Sequence, residues 1–385
     1  MWLLLLMILP EHIRNRRSVK VAAFLVVVGT LVFWYYNFPF QKVHDYILQS
    51  QKGKSILLWN GNEMFFKQPS DCGSFRCEMV SNRSERPIES YDAIVVIFDD
   101  KFPPIDPMEL IEFQSESNNT NQKFVFYTRK SPTSLLASYQ NLSEFADVFN
   151  WTMTYRRDSD IPLLYGRIVP EELTFFSPED VLRHIERARQ SFRSVRSSLS
   201  IPKDNKDQAI VAWMVSDDCD TTSQRELYVK ELRNYIEVDV YGGCGNLTGS
   251  YDIRLQSNYY KFYLSFENSI CPDYVTETFF QTMDRNVVPV VYGGADYTQY
   301  APIHSYIDAR QFKPEELASY LKILDTNDTL YGEYFWWKDH YRVMYSAENM
   351  WRDSYCDLCQ KLHRDFESKS YQDLIPHWID NNQCT

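Results

Sequence analysis

Residues 266–280 read FENSICPDYVTETFF and carry the clearest signal about the fold. The apolar run YKFYLSF passes directly into the polar residues Glu267, Asn268 and Ser269, and helical spacing follows from about Asp273. In α/β proteins, a junction of this kind between a strand and a helix often binds a ligand, phosphates among them. The stretch therefore predicts an α/β fold with a ligand site at this junction.

Short β-rich runs alternate with helical patterns on both sides of the junction, which indicates parallel sheets. The predicted strands are 56–59, 92–98, 123–128, 208–216, 238–242 and 287–294, and the predicted helices begin at Ser177 and span 223–235 and 313–324. A serine- and charge-rich stretch, residues 191–207, separates two such series. We therefore expect two Rossmann-like domains that face each other across a cleft, residues 55–200 and 208–360, followed by a C-terminal tail at 361–385.

The N-terminal region contains an apolar stretch, VAAFLVVVGTLVFWYY at residues 21–36, which carries no charge and follows four basic residues between positions 14 and 20. This pattern is typical of a single membrane span with its basic flank in the cytosol. A cleaved signal peptide is the alternative, but no small-x-small cleavage site follows the run. We expect a cytosolic tail at 1–20, a transmembrane signal anchor at 21–40 and a stem at 41–54.

Two features of the sequence fit a secretory lumen. N-x-S/T sequons for N-glycosylation are frequent, and an even number of cysteines is what a disulfide framework requires. Cys356 and Cys359 with His363 resemble half a zinc site, but no second pair stands at ligand spacing, so we predict disulfides instead. The sequons are at Asn82, Asn118, Asn141, Asn150, Asn246 and Asn327, and the cysteines are Cys72, Cys77, Cys219, Cys244, Cys271, Cys356, Cys359 and Cys384.

The charge and the absent motifs exclude several functions. A net charge of -12 argues against nucleic-acid binding through a broad basic surface. The sequence contains no G-x-G-x-x-G, Walker or H-E-x-x-H motif. Two acidic clusters, Asp217-Asp218-Cys219-Asp220 and Asp99-Asp100, are candidate metal ligands, but both follow predicted strands, where acidic residues often serve as solvated caps. We therefore expect no metal site there.

A long stretch around the junction resembles a known family. Residues 261–297, KFYLSFENSICPDYVTETFFQTMDRNVVPVVYGGADY, are similar to the donor-binding signature of the α1,3-fucosyltransferases, glycosyltransferase family 10. That signature is F-x-F-E-N-S, then D-Y-x-T-E-K and V-P-V-V-x-G. Other parts of the sequence also resemble elements of this family. They are residues 149–166, residues 216–228 with Arg225, and the Cys356-x-x-Cys359 pair. The resemblance covers roughly residues 55–360.

The resemblance implies a fold and a reaction. The family has a GT-B fold of two Rossmann-like domains, a type II Golgi anchor and GDP-fucose as its donor, and it inverts the anomeric centre without an essential metal. This chemistry requires a base for the acceptor hydroxyl, stabilisation of an oxocarbenium-like fucose, and donors to the departing diphosphate.

The resemblance also assigns donor-binding residues. Arg225 matches the arginine that faces the diphosphate, because a planar guanidinium suits phosphate oxygens. Asn268, Tyr274 and Glu277 match donor contacts, and a helix that begins near Asp273 would add N–H dipoles. The alternatives are core packing for Tyr274 and an acidic first-turn residue for Glu277. The element that contains Tyr155, Arg156, Arg157, Asp158 and Asp160 matches the family without an assigned role.

Two positions depart from the family pattern. Thr278 stands where the family has a lysine near the diphosphate, and Lys130 stands in FYTRKSP where the family has its catalytic glutamate. Lysine, with a pKa of about 10.4, stays protonated at neutral pH unless it is strongly desolvated. If the chain is active, another carboxylate, such as Glu116 or Asp160, must supply the base.

The sequence thus predicts a Golgi α1,3-fucosyltransferase that transfers fucose from GDP-fucose to GlcNAc O3 of an N-glycan or lactosamine, carried by a glycoprotein or a glycolipid. The alternative is a catalytically impaired relative that binds a nucleotide or glycoprotein as a partner. The two readings differ in whether turnover survives Lys130 and Thr278.

Overall fold

The computed structural model describes residues 53–61, 69, 72–117, 119–139, 142–171, 176–195, 209–215, 219–245, 247, 260–365, 367, 369–372 and 384. Within these residues the chain forms two parallel sheets and one two-stranded antiparallel sheet. The predicted signal anchor lies outside the described residues. No helix in the described ranges is long and apolar enough to cross a membrane.

The first sheet has six strands among the described residues, in the order β2-β1-β3-β4-β5-β6, and its neighbouring strands are parallel. Its central strands β3 and β4 are buried along their whole length, as expected for parallel strands that are covered on both faces. The strands are β1 (Lys54–Leu58), β2 (Cys77–Val80), β3 (Ala93–Ile97), β4 (Lys123–Thr128), β5 (Trp151–Thr154) and β6 (Ile161–Pro162).

The second sheet has five described strands, all parallel, in the order β12-β11-β10-β8-β9. Two further strands, β7 (Arg167–Pro170) and β13 (Tyr341–Met344), pair with each other. The strands of the second sheet are β8 (Val211–Val215), β9 (Val238–Gly242), β10 (Phe262–Phe266), β11 (Val288–Tyr292) and β12 (Ile307–Asp308). The predicted α/β class with parallel sheets is confirmed.

Some helices begin at residues that commonly start helices. Ser131 accepts a hydrogen bond from the Ser134 amide and Pro132 opens α2, which is a usual helix start. The helix predicted at 313–324 is confirmed, with Leu317 and Leu321 on its buried face. The helices are α1 (Pro107–Glu116), α2 (Pro132–Ser138), α3 (Pro178–Val195), α4 (Arg225–Leu232), α5 (Glu277–Met283), α6 (Pro314–Thr326), α7 (Asp328–Gly332) and α8 (Ala347–Arg364).

Two helices pack against residues from the other half of the chain. Helix α8 follows the second sheet in sequence, yet its Trp351 and Leu358 pack with Ile56 and Val95 of the first sheet. Helix α3 follows the first sheet, runs into the predicted junction at 191–207, and packs through Val181 against residues of α5. The two halves of the chain are therefore interlocked, while the domain boundaries remain a prediction.

Candidate active site

A cleft of about 440 Å³ lies between the carboxyl ends of strands from the two sheets. Ligands of α/β proteins bind at this end of parallel strands. Of the six predicted site residues, Lys130, Asn268 and Tyr274 line the cleft. The described residues that line it are Asp99, Asp100, Arg129, Lys130, Thr133, Ser134, Ala137, Ser138, Tyr165, Asp220, Thr221, Thr222, Asn268 and Tyr274.

The first wall of the cleft is built by the ends of β3 and β4. These strands pair in parallel, with Ile97 opposite Tyr127, so the residues that follow each strand emerge side by side. Asp99 and Asp100 come from β3, and two basic residues come from β4. This strand pair therefore places two carboxylates next to two cations at the mouth of the cleft.

Lys130 is held in a salt bridge with Asp100, and its ammonium also contacts the Ser138 hydroxyl at 3.1 Å. The Lys130 amide donates to Thr128 Oγ1 at 3.1 Å, which fixes the backbone. The hydrogen bond from Lys130 holds the pKa of Asp100 below its usual range. Because an ammonium has no lone pair, Lys130 in this arrangement cannot accept a proton.

Arg129 is a second cation of the cleft, and no sequence motif indicated a role for it. Its guanidinium lies 4.1 Å from the centre of the Tyr165 ring, and its carbonyl accepts a hydrogen bond from the Tyr165 hydroxyl at 2.6 Å. Its Nε is buried and has no hydrogen-bond partner among the described residues. Burial lowers the pKa of this guanidinium, but Tyr165 and the carboxylates of Glu277 and Asp99 favour the charged form and raise it overall.

Asn268 sits on the second wall, within a group of hydroxyls that joins the two halves. Ser269 Oγ lies 2.7 Å from Ser131 Oγ and 2.8 Å from Thr133 Oγ1, both at the start of α2. Thr222 Oγ1 donates to the Asn268 carbonyl at 3.2 Å. The motif residues Asn268 and Ser269 are thus fixed against the first wall by hydrogen bonds across the cleft.

Tyr274 both lines the cleft and packs in the core. It is 5% exposed, and its ring contacts Tyr155 edge-on at 4.8 Å and Tyr165 at 6.2 Å. Burial raises the pKa of its hydroxyl well above the ordinary value. The two alternatives for Tyr274, ligand contact and core packing, are therefore both compatible with its position.

The helix predicted to begin near Asp273 begins instead at Glu277, so that prediction is wrong. Asp273 has a φ of 60°, a left-handed conformation that aspartate tolerates but that a helix cannot continue through. The Thr276 amide donates to Glu267 Oε1 at 2.8 Å, inside the protein. The N–H groups expected near Asp273 are therefore not arranged as a helix start.

Glu277 and Thr278 form the first turn of α5. Glu277 is exposed and Thr278 is half-buried, and neither is among the described residues that line the cleft. The Glu277 carboxylate is nevertheless close enough to raise the pKa values of Arg129 and Tyr165. Tyr165 of the cleft packs against the hydrophobic cluster that contains Phe279 and Phe280, so α5 lies beside the cleft.

Arg225 opens helix α4, behind the second wall. Its Nη1 donates to the Phe266 carbonyl at 2.6 Å, and its Nε lies 3.2 Å from Glu226 Oε1. The side chain is 11% exposed. Arg225 thus supports the end of β10, directly before the motif, and does not line the cleft in this structure.

Glu267 is a second residue for which the sequence analysis assigned no role. It is 3% exposed at the end of β10, and burial raises its carboxyl pKa to about 7, against a lowering by the hydrogen bond from Thr276. No local signal indicated this burial, because an acidic residue that follows a buried strand is usually solvated and a buried carboxylate is costly.

All eight cysteines form disulfides, which confirms the disulfide prediction and excludes the half zinc site. His363 lies near the sulfurs of Cys77 and Cys359, but both sulfurs are oxidised and its Nε2 contacts the Arg76 carbonyl at 3.1 Å. Asp217 and Asp218 lie outside the described residues. The bonds are Cys72–Cys356, Cys77–Cys359, Cys219–Cys244 and Cys271–Cys384.

Two residues named as alternative bases belong to elements away from the cleft. Asp160 Oδ2 accepts hydrogen bonds from the Thr152 amide at 2.9 Å and the Tyr371 hydroxyl at 2.8 Å, so it stabilises the β5 and β6 region. Glu116 is the last residue of α1, which leads back toward the start of β4, at the edge of the sheet opposite the cleft. Asp160 is not among the described residues that line the cleft.

Comparison with known proteins gives consistent matches. The chain matches the family model "Glycosyltransferase family 10 (fucosyltransferase) C-term" over residues 203–378 and "Fucosyltransferase, N-terminal" over residues 51–166. It is 34% identical to alpha-(1,3)-fucosyltransferase C of Drosophila melanogaster over 81% of this chain and 71% of that protein. It is 33% identical to glycoprotein 3-alpha-L-fucosyltransferase A of the same organism, over 89% of this chain and 64% of that protein.

Among solved structures, an α1,3-fucosyltransferase with GDP-fucose aligns with a TM-score of 0.48 at 16% identity, over 84% of this chain and 97% of that chain. The two family models together with the Drosophila relatives establish the family. The chain belongs to glycosyltransferase family 10, the fucosyltransferases.

Proposed function

We propose that the chain is a Golgi α1,3-fucosyltransferase that transfers fucose from GDP-fucose to O3 of GlcNAc in N-glycan or lactosamine acceptors. The names of its two Drosophila relatives support the linkage, and one of them supports a glycoprotein acceptor. The observation that carries the proposal is the cleft, where Asn268 and Tyr274 of the donor-type motif face the ends of β3 and β4.

The proposal includes the arrangement of the whole protein. We take the fold as GT-B, with domains at 55–200 and 208–360 and an anchor at 21–40 that leaves the cleft in the lumen. The basic residues before the apolar stretch support this topology. The four disulfides support an oxidising compartment.

The proposed reaction is a single displacement with inversion and without an essential metal. The acceptor O3 attacks C1 of fucose, the C1–O bond to the β-phosphate breaks, and the diphosphate oxygen keeps the electron pair. The O3 proton passes to a carboxylate, which we assign to Asp99. Asp99 lines the cleft and has no salt-bridge partner among the described residues, whereas Asp100 is bound to Lys130.

A transfer assay tests the proposal. The full chain, expressed in a eukaryotic secretory host, is incubated with GDP-fucose and either lactosamine or chitobiose-core acceptors, and the linkage of the product is read by NMR. GDP binding is measured in parallel. An α1,3-linked product supports the proposal, whereas GDP binding without any product favours the impaired partner-protein reading.

A further inference from the structure

We propose that Arg129 binds the diphosphate of the donor and takes the place of the cation that is missing at Thr278. This inference rests on the proposed function, since it requires GDP-fucose as the ligand. Arg129 follows a strand of the first sheet, whereas the family resemblance places the cations that bind the diphosphate in the half of the chain that contains the second sheet.

The cations around the cleft differ in how many salt bridges and hydrogen bonds they already form with protein groups. Lys130 is held by Asp100, and Arg225 donates to the Phe266 carbonyl and lies against Glu226. Arg129 has no carboxylate within salt-bridge distance among the described residues, and its buried Nε has no partner. A buried donor without a partner is costly, because it has lost its hydrogen bonds to water. An anion in the cleft would compensate the charge of this guanidinium.

The charges of the cleft wall make this cation necessary for an anionic ligand. The described wall includes three carboxylates, Asp99, Asp100 and Asp220, of which only Asp100 is neutralised by a salt bridge. A diphosphate entering the cleft is therefore repelled by two carboxylates. Among the described wall residues, Arg129 is the cation that forms no salt bridge, so its positive charge can offset that repulsion.

The orientation of Arg129 fits contact with the donor motif. The Tyr165 ring supports its guanidinium, and the Tyr165 hydroxyl anchors its backbone. Tyr165, which supports the guanidinium, also packs against the hydrophobic cluster that contains Phe279 and Phe280. Both phenylalanines belong to α5, the helix whose first turn contains Thr278. A planar guanidinium can donate two parallel hydrogen bonds to phosphate oxygens, which a threonine cannot.

The test compares binding of GDP and of guanosine to the full chain by calorimetry. Arg129→Met should weaken GDP binding by roughly ten- to a hundredfold and leave guanosine binding within about twofold, because only GDP carries the phosphates. Arg129→Lys should retain part of the GDP affinity. The matched control is Arg86→Met, since Arg86 also lies over a tyrosine, Tyr91, but pairs with Glu78 and does not line the cleft.

Three results would overturn the inference. GDP affinity that stays within about twofold of wild type in a folded Arg129→Met variant removes Arg129 from the site while leaving the proposed function intact. An equal loss of GDP and guanosine affinity assigns Arg129 a structural role. A wild-type chain that binds no GDP overturns the proposed function as well.

Discussion

The assignment of the catalytic base to Asp99 leads to the sharpest prediction. Asp99→Asn keeps the size of the side chain and removes its basicity. Since a general base contributes about 10²–10⁴-fold, the variant should lose roughly 3–5 kcal/mol of transition-state stabilisation. Its GDP affinity should stay the same or rise, because a carboxylate that repels the diphosphate is removed. The control is Asp339→Asn, because Asp339 is exposed and does not line the cleft.

A carboxylate restored at position 130 should compensate for this loss. Lys130→Glu alone would set a carboxylate beside Asp100, and like charges at about 4 Å repel by up to roughly 4 kcal/mol at an effective dielectric of 20. The Asp100 side chain is 58% exposed, so water reduces this repulsion to on the order of 1 kcal/mol. The combination Lys130→Glu with Asp100→Asn avoids the repulsion and should recover transfer in the Asp99→Asn background.

The assay is the initial rate of fucose transfer at saturating GDP-fucose and acceptor. If the rate of Asp99→Asn stays within about threefold of the wild-type rate, Asp99 is not the base, because a threefold loss is far smaller than the contribution of a general base. A triple variant that binds GDP but stays inactive would refute the equivalence of position 130 with the family glutamate.

Three further predictions concern stability and processing. Burial raises the pKa of Glu267 from 4.5 to about 7, so the folded chain binds more protons than the unfolded chain between these values, and stability falls as the pH rises through this window. Glu267→Gln should remove this decrease of on the order of 3 kcal/mol between pH 5 and 8, as measured by urea unfolding. Replacing Cys271 and Cys384 by serine opens a loop of 113 residues and should cost about 3–5 kcal/mol of unfolding free energy. Glycopeptide mapping should find a glycan on the exposed Asn82 and none on Asn150, whose side chain bonds the Phe124 amide at 2.7 Å and the Lys369 carbonyl at 2.8 Å.

Each of these predictions has a result that contradicts it. An unchanged pH dependence in Glu267→Gln would show that another group titrates in this window. Unfolding free energy that is insensitive to the serine pair would mean that the C-terminal cysteine does not constrain the chain. A fully occupied Asn150 would require the β4 and β5 region to differ from the contacts described above.

The parallel sheets were predictable because their strands are continuous apolar runs, and 123–128 and 238–242 match the structure at both ends. Helix starts were less predictable. Asp273 follows a proline and adopts a left-handed conformation, and this conformation depends on contacts with Tyr300 and Arg157 that are remote in sequence. Local spacing alone could not reveal that α5 starts four residues later, at Glu277.

The site was predictable only where one stretch of sequence forms it. Asn268 and Tyr274 lie in the motif and line the cleft, whereas Arg129 and Asp99 become neighbours through the pairing of β3 with β4. The same pairing brings Asp100 to Lys130, and neither residue alone indicates the ion pair. The cleft wall depends on long-range register, which a single sequence does not specify.

Hydrogen exchange with and without GDP tests whether this cleft holds the donor. Amides in segments that a ligand holds exchange more slowly. If the donor binds in this cleft, GDP protects both walls of the full wild-type chain, residues 129–135 of the first wall and 266–276 of the second. Protection confined to one wall, or located elsewhere while both segments exchange unchanged, would contradict a donor site in this cleft.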